Sequence, residues 1–99
     1  MDVRVGTILA AQKVAQTKKL LQLTINTGID DRTVVSGIAV YYSPEEVVGK
    51  QVLILVNLQP RMLQGIESQG MILMAEAPDG TLKFVSAAET GTPNGAIVK

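Results

Sequence analysis

Apolar positions recur with a period of two along much of the chain. Val3, Val5, Thr7 and Leu9 alternate with Arg4, Gly6 and Ile8, and Leu21, Leu23 and Ile25 alternate more cleanly with Gln22, Thr24 and Asn26. This period predicts two strands, each with one face on a core. Gly6 leaves the first run without a side chain, which permits the bulge or sharp coiling that small barrels use at their corners, or is simply neutral there. Gln16-Thr17-Lys18-Lys19 makes a basic loop between the strands, and Thr27-Gly28-Ile29-Asp30-Asp31 supplies turn chemistry after the second. Residues 32–38, with the β-branched pair Val34-Val35, predict a third strand ending near Ser36-Gly37.

The period then changes. Ser43-Pro44-Glu45-Glu46 places an N-cap serine before a proline at the first helical position, with Glu46 spaced to close a capping box and Gly49 placed to stop the helix. A helix of one or two turns is expected. Glu45 and Glu46 sit where the positive end of the helix dipole favours carboxylates, which argues for a structural start and against a phosphate site. Val52-Leu53-Ile54-Leu55-Val56 has no alternation and predicts a strand buried on both faces, while residues 69–75 predict a second apolar strand. Pro78-Asp79-Gly80 is a turn leading into Leu82-Lys83-Phe84-Val85, and Gly91, Pro93, Asn94 and Gly95 precede Ala96-Ile97-Val98. The expected fold is all-β. It is a small five-stranded Greek-key barrel of the oligonucleotide/oligosaccharide-binding (OB) type, with one short helix between strands three and four and a C-terminal extension over residues 86–99.

Length limits the chain to a single domain, residues 1–99, because folding a chain of this size hides roughly 64% of its surface, enough for one core. Cysteine and histidine are both absent, which removes disulfides, thiolate nucleophiles, nitrogen- or sulfur-ligated zinc and the usual proton carrier near neutral pH. The pairs Asp30-Asp31 and Glu45-Glu46 are adjacent in sequence and not set across a reacting bond. Ser36, Ser43, Ser68 and Ser86 have no histidine to activate them, and no glycine-rich phosphate loop occurs. No catalytic residue, metal ligand or cofactor is expected. No apolar run reaches the roughly 20 residues of a spanning helix, and the first residues lack a signal-peptide core, so a cytoplasmic protein without membrane contact is expected.

Nine basic residues cancel nine acidic ones, and zero net charge at first counts against a nucleic-acid partner. The cancellation is not local. Residues 1–28 carry +3, from Arg4, Lys13, Lys18 and Lys19 against Asp2, whereas residues 29–49 carry −3. Lys18 and Lys19 fall in the loop between strands one and two, and Arg61 in that between strands four and five; these loops flank the ligand face of an OB barrel. The lysines are compatible both with phosphate contacts and with ordinary solubilising surface charge. The stretch from Asn57 to Met71 adds an amide, a fixed proline, glycines and the hydroxyl of Ser68. These either contact sugar and backbone or merely shape a long connection, with Met71 in the core.

The runs Asp2-Val3-Arg4-Val5-Gly6, Arg32-Thr33-Val34-Val35-Ser36-Gly37-Ile38, Tyr41-Tyr42, Asn57-Leu58-Gln59-Pro60-Arg61 and Gly65-Ile66-Glu67-Ser68-Gln69-Gly70-Met71-Ile72-Leu73 resemble, in order and over nearly the whole chain, a known family. It is the tRNA-binding domain found at the C-terminus of many bacterial methionyl-tRNA synthetases, in free-standing structure-specific tRNA-binding proteins and in cytokine-like cofactors of eukaryotic synthetase complexes. The resemblance implies the same barrel, non-catalytic tRNA binding by shape and backbone, and a synthetase catalytic domain as partner in cis or in trans. It also implies a homodimer assembled partly through residues 86–99. By the same resemblance Lys18, Lys19 and Arg61 would pair phosphates, Asn57 and Ser68 would hydrogen-bond sugar or phosphate oxygens, and Ser36 and Met71 would help form the surface. A scarcity of aromatics, Tyr41, Tyr42 and Phe84 alone, agrees with shape recognition better than with base stacking.

The chain departs from the family in two basic places. Ala15-Gln16-Thr17-Lys18-Lys19-Leu20 stands where a His-Pro-Asn-Ala-Asp-Lys-Leu-like loop is usual, and Met62 and Gln64 replace common basic residues. Fewer cations imply weaker binding and a shallower salt dependence. The start at the Arg-Val-Gly strand, without the short lead-in of most relatives, makes a fragment of a larger synthetase an expectation. A secretion-chaperone-like branch of the family, which holds extended polypeptides, is the alternative function.

Overall fold

The computed structural model describes residues 1–89 and 91–99. Its strands are β1 Val3–Lys13, β2 Leu21–Asn26, β3 Asp31–Ser36, β4 Gln51–Leu55, β5 Arg61–Leu63, β6 Ile66–Ser68, β7 Met71–Ile72, β8 Met74–Glu76, β9 Leu82–Phe84 and β10 Ile97–Val98, with one helical turn, α1 Pro44–Val47. The main sheet runs β3-β2-β1-β4-β7, all antiparallel, and β10 also pairs with β1. This is the expected five-stranded barrel path, with the small helix between its third and fourth strands.

The core follows the alternation of β2 and β4. Leu21, Leu23 and Ile25 meet Val34, Ile38, Val52 and Ile54, all at 0% exposure, and Val47 of α1 closes one end. Each such aliphatic side chain contributes about 1.5–3 kcal/mol by leaving water. β4 was expected to be buried on both faces. Instead Val52, Ile54 and Val56 point inward, and Leu53 and Leu55 lie half-buried on the outer side, where other segments cover the barrel only in part.

β1 has two different faces along its length. Ile8 joins the barrel core, whereas Val3 and Val5 are buried outside it, where the C-terminal segment lies along the strand. Val5 exchanges backbone bonds with Ala96 (3.0 Å) and Gly95 (2.7 Å), Arg4 Nη1 donates to the Gly95 carbonyl, and the Thr7 hydroxyl bonds Asn94 Oδ1 at 2.7 Å. Both parities of the strand are therefore apolar. The register break lies between Ile8 and Ala10, not at Gly6, and it turns Leu9 outward to 46% exposure. Gly6 serves a close approach: a Cβ there would lie 2.8 Å from Ile25 Cγ2, so β2 can cross tightly over β1.

Two other expectations change. Ser43 has the extended backbone of an N-cap, but its side chain makes no capping bond, so the helix start rests on Pro44 and on the burial of Val47. The apolar run 69–75 is split: β7 pairs with β4, and β8 turns away after Leu73 to pair with β9. Tyr42 packs on Phe84 with ring centroids 4.8 Å apart and donates its hydroxyl to the Leu82 carbonyl, holding the β8-β9 hairpin against the barrel. Among the described residues no helix is long and apolar enough to cross a membrane.

Candidate nucleic-acid interface

A barrel of this size must close the gap between β3 and β7, and here side chains supply much of the closure. Ser68 Oγ accepts the Val35 N–H (3.0 Å) and donates to the Gly70 carbonyl (3.2 Å). Gln69 stands in for a neighbouring strand, donating its N–H to Thr33 O (2.8 Å) while its Oε1 accepts the Thr33 N–H (3.0 Å). Arg32 then spans the seam, its Nη1 donating to Val56 O (2.6 Å) and Gln69 O (3.3 Å). Gly70 must be bare because a Cβ would stand 2.8 Å from the Leu55 carbonyl.

Over this seam lies a groove of about 310 Å³, walled by Val35, Leu55, Leu58, Leu63 and Met71, with Arg61 at its rim. Its wall from Arg61 to Ser68 is a hairpin that the period-two pattern did not predict. Gln64 (φ 51°) and Gly65 (φ 80°) form its two-residue loop, the left-handed pair that suits the twist of flanking strands. A Gln-Gly pair between Leu63 and Ile66 was the local signal for it.

The structure brings Arg61, Ser68 and Met71 together in this groove. Arg61 is exposed, Met71 is 49% exposed and not in the core, and Ser68 is 5% exposed with its hydroxyl committed to Val35 and Gly70. Lys18 and Lys19 extend into solvent from the β1-β2 loop, whose backbone is pinned where the Ala39 N–H donates to Lys19 O (3.0 Å). Ser36 is half-buried at the end of β3, opposite Leu21. Asn57 is exposed and lies outside the groove lining, its Oδ1 accepting the Asp2 N–H at 2.9 Å. Sequence reasoning did not single out Val35, Leu55, Leu58 and Leu63 as walls, nor Arg32 and Gln69 as the groove's support.

Replacing Ser68 by alanine strips Val35 N–H of its acceptor and Gly70 of its donor. An unmade buried hydrogen bond costs about 1–3 kcal/mol, so the unfolding free energy should fall by that amount and the urea midpoint with it, while the salt slope of any nucleic-acid binding stays unchanged. A serine acting on phosphate or sugar alone would weaken binding without moving the midpoint.

Charge is sorted by pairing. Among the described residues the ion pairs are Arg4 with Asp2 (2.9 Å) and Arg32 with Asp30 (3.1 Å), so two arginines of the basic count are neutralised locally. Lys18, Lys19 and Arg61 are in neither pair. The Thr27 hydroxyl, 2.6 Å from Oδ1, and then the Arg32 guanidinium hold the Asp30 carboxyl below the usual carboxylate range. That stabilisation is complete above the unfolded value of about 3.9 and is lost as pH falls through the lower folded value. Asp30→Asn should therefore flatten the loss of urea resistance on acidification, measured between about pH 6 and about pH 2.5. No three carboxylates converge among the described residues to hold a metal ion.

A family model described as a putative tRNA binding domain matches residues 3–96. The chain belongs to this tRNA-binding domain family. It is 66% identical over 88 residues to a methionine–tRNA ligase of Cytophaga hutchinsonii, covering 89% of this chain but 13% of that protein. Among solved structures it is similar to a MetRS-related protein from Pyrococcus horikoshii, at 40% identity and a TM-score of 0.92, covering 99% of this chain and 89% of that one. It is also similar to the CsaA chaperone protein from Picrophilus torridus, at 25% identity and a TM-score of 0.86, covering 99% of this chain and 91% of that one. The tRNA-binding domain thus spans about an eighth of the ligase it matches.

Proposed function

We infer that this tRNA-binding domain serves a methionyl-tRNA synthetase, as its C-terminal domain or as a separate subunit, and raises the enzyme's affinity for tRNA without taking part in ligation. The family match over residues 3–96 carries this reading, and the high identity to a methionine–tRNA ligase supports the synthetase context. The groove with Arg61 at its rim and the exposed Lys18-Lys19 loop supply cations for phosphates on the faces that OB barrels use. Asn57, Ser36 and Met71 add sugar contacts and surface, and Ser68 supports the seam beneath them. The place of work is the cytoplasm.

Residues 86–99 further serve a homodimer in this reading. Ile97 and Val98 of β10 are 60% and 40% exposed, an apolar strip suited to a second copy. The apolar groove also favours a polypeptide-holding alternative, as does the likeness to a CsaA chaperone protein. A tRNA gel shift across a salt series, run beside an unfolded peptide, separates the two: retention of tRNA at low salt that weakens as salt rises supports the first reading. Peptide binding without tRNA binding at low salt overturns it.

A further inference from the structure

We propose that the outer face of β1 and β2 carries a ribose-reading subsite, built from Gln12, Gln22 and Thr24, that extends the RNA track beyond the groove. The inference rests on the tRNA-binding reading given above. Directly opposed residues of antiparallel strands share a face, and the register sets Ala10 against Thr24, Gln12 against Gln22, and Gln22 against Val35. Val35 is a wall of the groove at the barrel seam. Gln22 in turn lines a separate polar depression of about 130 Å³ with Ala10, Gln12 and Thr24. Groove and depression therefore lie on the same face of the sheet, neighbours through the Val35–Gln22 pair, with Val35 two strand spacings, roughly 10 Å, from Gln12.

The depression exists because Ala10, beside the register break, puts only a methyl group on this face where longer side chains flank it. Its chemistry is specific. Gln12 Nε2 donates to Gln22 Oε1 at 3.1 Å, which orients both amides. Among the described residues, the side-chain Oε1 of Gln12, the side-chain Nε2 of Gln22 and the Thr24 hydroxyl are left free by this bond and make no other side-chain hydrogen bond. Exchanging the oxygen and nitrogen of both amides leaves the same inventory of one acceptor group and one donor group. A ribose 2′-hydroxyl is both donor and acceptor, and it is the group by which a protein tells RNA from DNA. Charge favours a nucleic acid over a polypeptide as occupant. Lys13 follows Gln12 at the end of β1, Lys18 and Lys19 lie in the loop beyond it, and all three are exposed. None of the chain's aromatic residues lines the depression, so the site suits sugar and not a stacked base.

The test compares a tRNA transcript with an all-deoxy strand of the same sequence, and with an unfolded peptide. Wild-type protein should prefer the transcript. Gln12→Ala/Gln22→Ala should weaken transcript binding about threefold to tenfold, leave deoxy binding unchanged and keep the salt slope, because no cation is lost. Gln22→Leu retains bulk on the sheet and should reproduce the loss, excluding an effect of packing. Equal weakening of transcript and deoxy strand, unchanged transcript binding, or a loss confined to the peptide overturns the ribose subsite while leaving tRNA binding itself intact. Failure of the wild type to bind either nucleic acid at any salt overturns the underlying reading as well.

Discussion

Alanine at Lys18, Lys19 and Arg61 together should lower tRNA affinity by roughly two orders of magnitude at about 0.1 M salt, and flatten the plot of log affinity against log salt by about 2–3 units. Each phosphate contact releases condensed counterions and adds about 0.9 to that slope on a duplex, so three lost contacts account for both numbers. The side chains are exposed and outside the ion pairs of the described residues, so the fold should be unaffected, with stability within about 0.5 kcal/mol of the parent. Filter binding at several salt concentrations reads both quantities. An unchanged slope would return these residues to the role of solubilising charge.

Gly28→Ala should be the most damaging small substitution outside the core. At φ +91° a side chain is strained, and its Cβ would stand 2.4 Å from the Asn94 carbonyl oxygen and 2.7 Å from Gly95 Cα. Both contacts are with backbone and cannot be relieved by a rotamer change. The expected result is a loss of about 2–4 kcal/mol, with residues 94–98 lifting from β1. Hydrogen exchange at the Val5 and Gly95 amides, protected by the bonds across that contact, should accelerate before exchange in the barrel core. If β10 joins a second copy, sedimentation of this variant should also shift toward the monomer mass. Retained protection at both amides would show that the segment tolerates the side chain.

What could be read from sequence follows the range of the interactions. β2 shows itself by strict alternation, the β8-β9 turn by Pro78-Asp79-Gly80, and the helix end by Gly49, because each depends on neighbours a few residues away. β1 misleads because its second apolar face meets a partner some ninety positions distant, which no local pattern encodes. Ser43 shows the converse: the capping pattern is present, yet no capping bond forms. At the candidate site the resemblance selected Arg61, Ser68 and Met71, and the structure does gather them. It could not separate a residue that faces a ligand from one that holds the seam. Ser68 and Val35 are 33 positions apart, and their bond becomes visible only once the barrel is closed.

The pairing of β10 with the opening residues of β1 has a mechanical consequence. Val3 lies beside Val98 and Arg4 beside Ile97, antiparallel, so the residues flanking this short ladder leave from the same end of it. Tension applied between Met1 and Lys99 peels the ladder one bond at a time instead of shearing all its bonds at once. The C-terminal strand is then the first element to yield under load, while the β1-β4 pairing still holds the barrel shut.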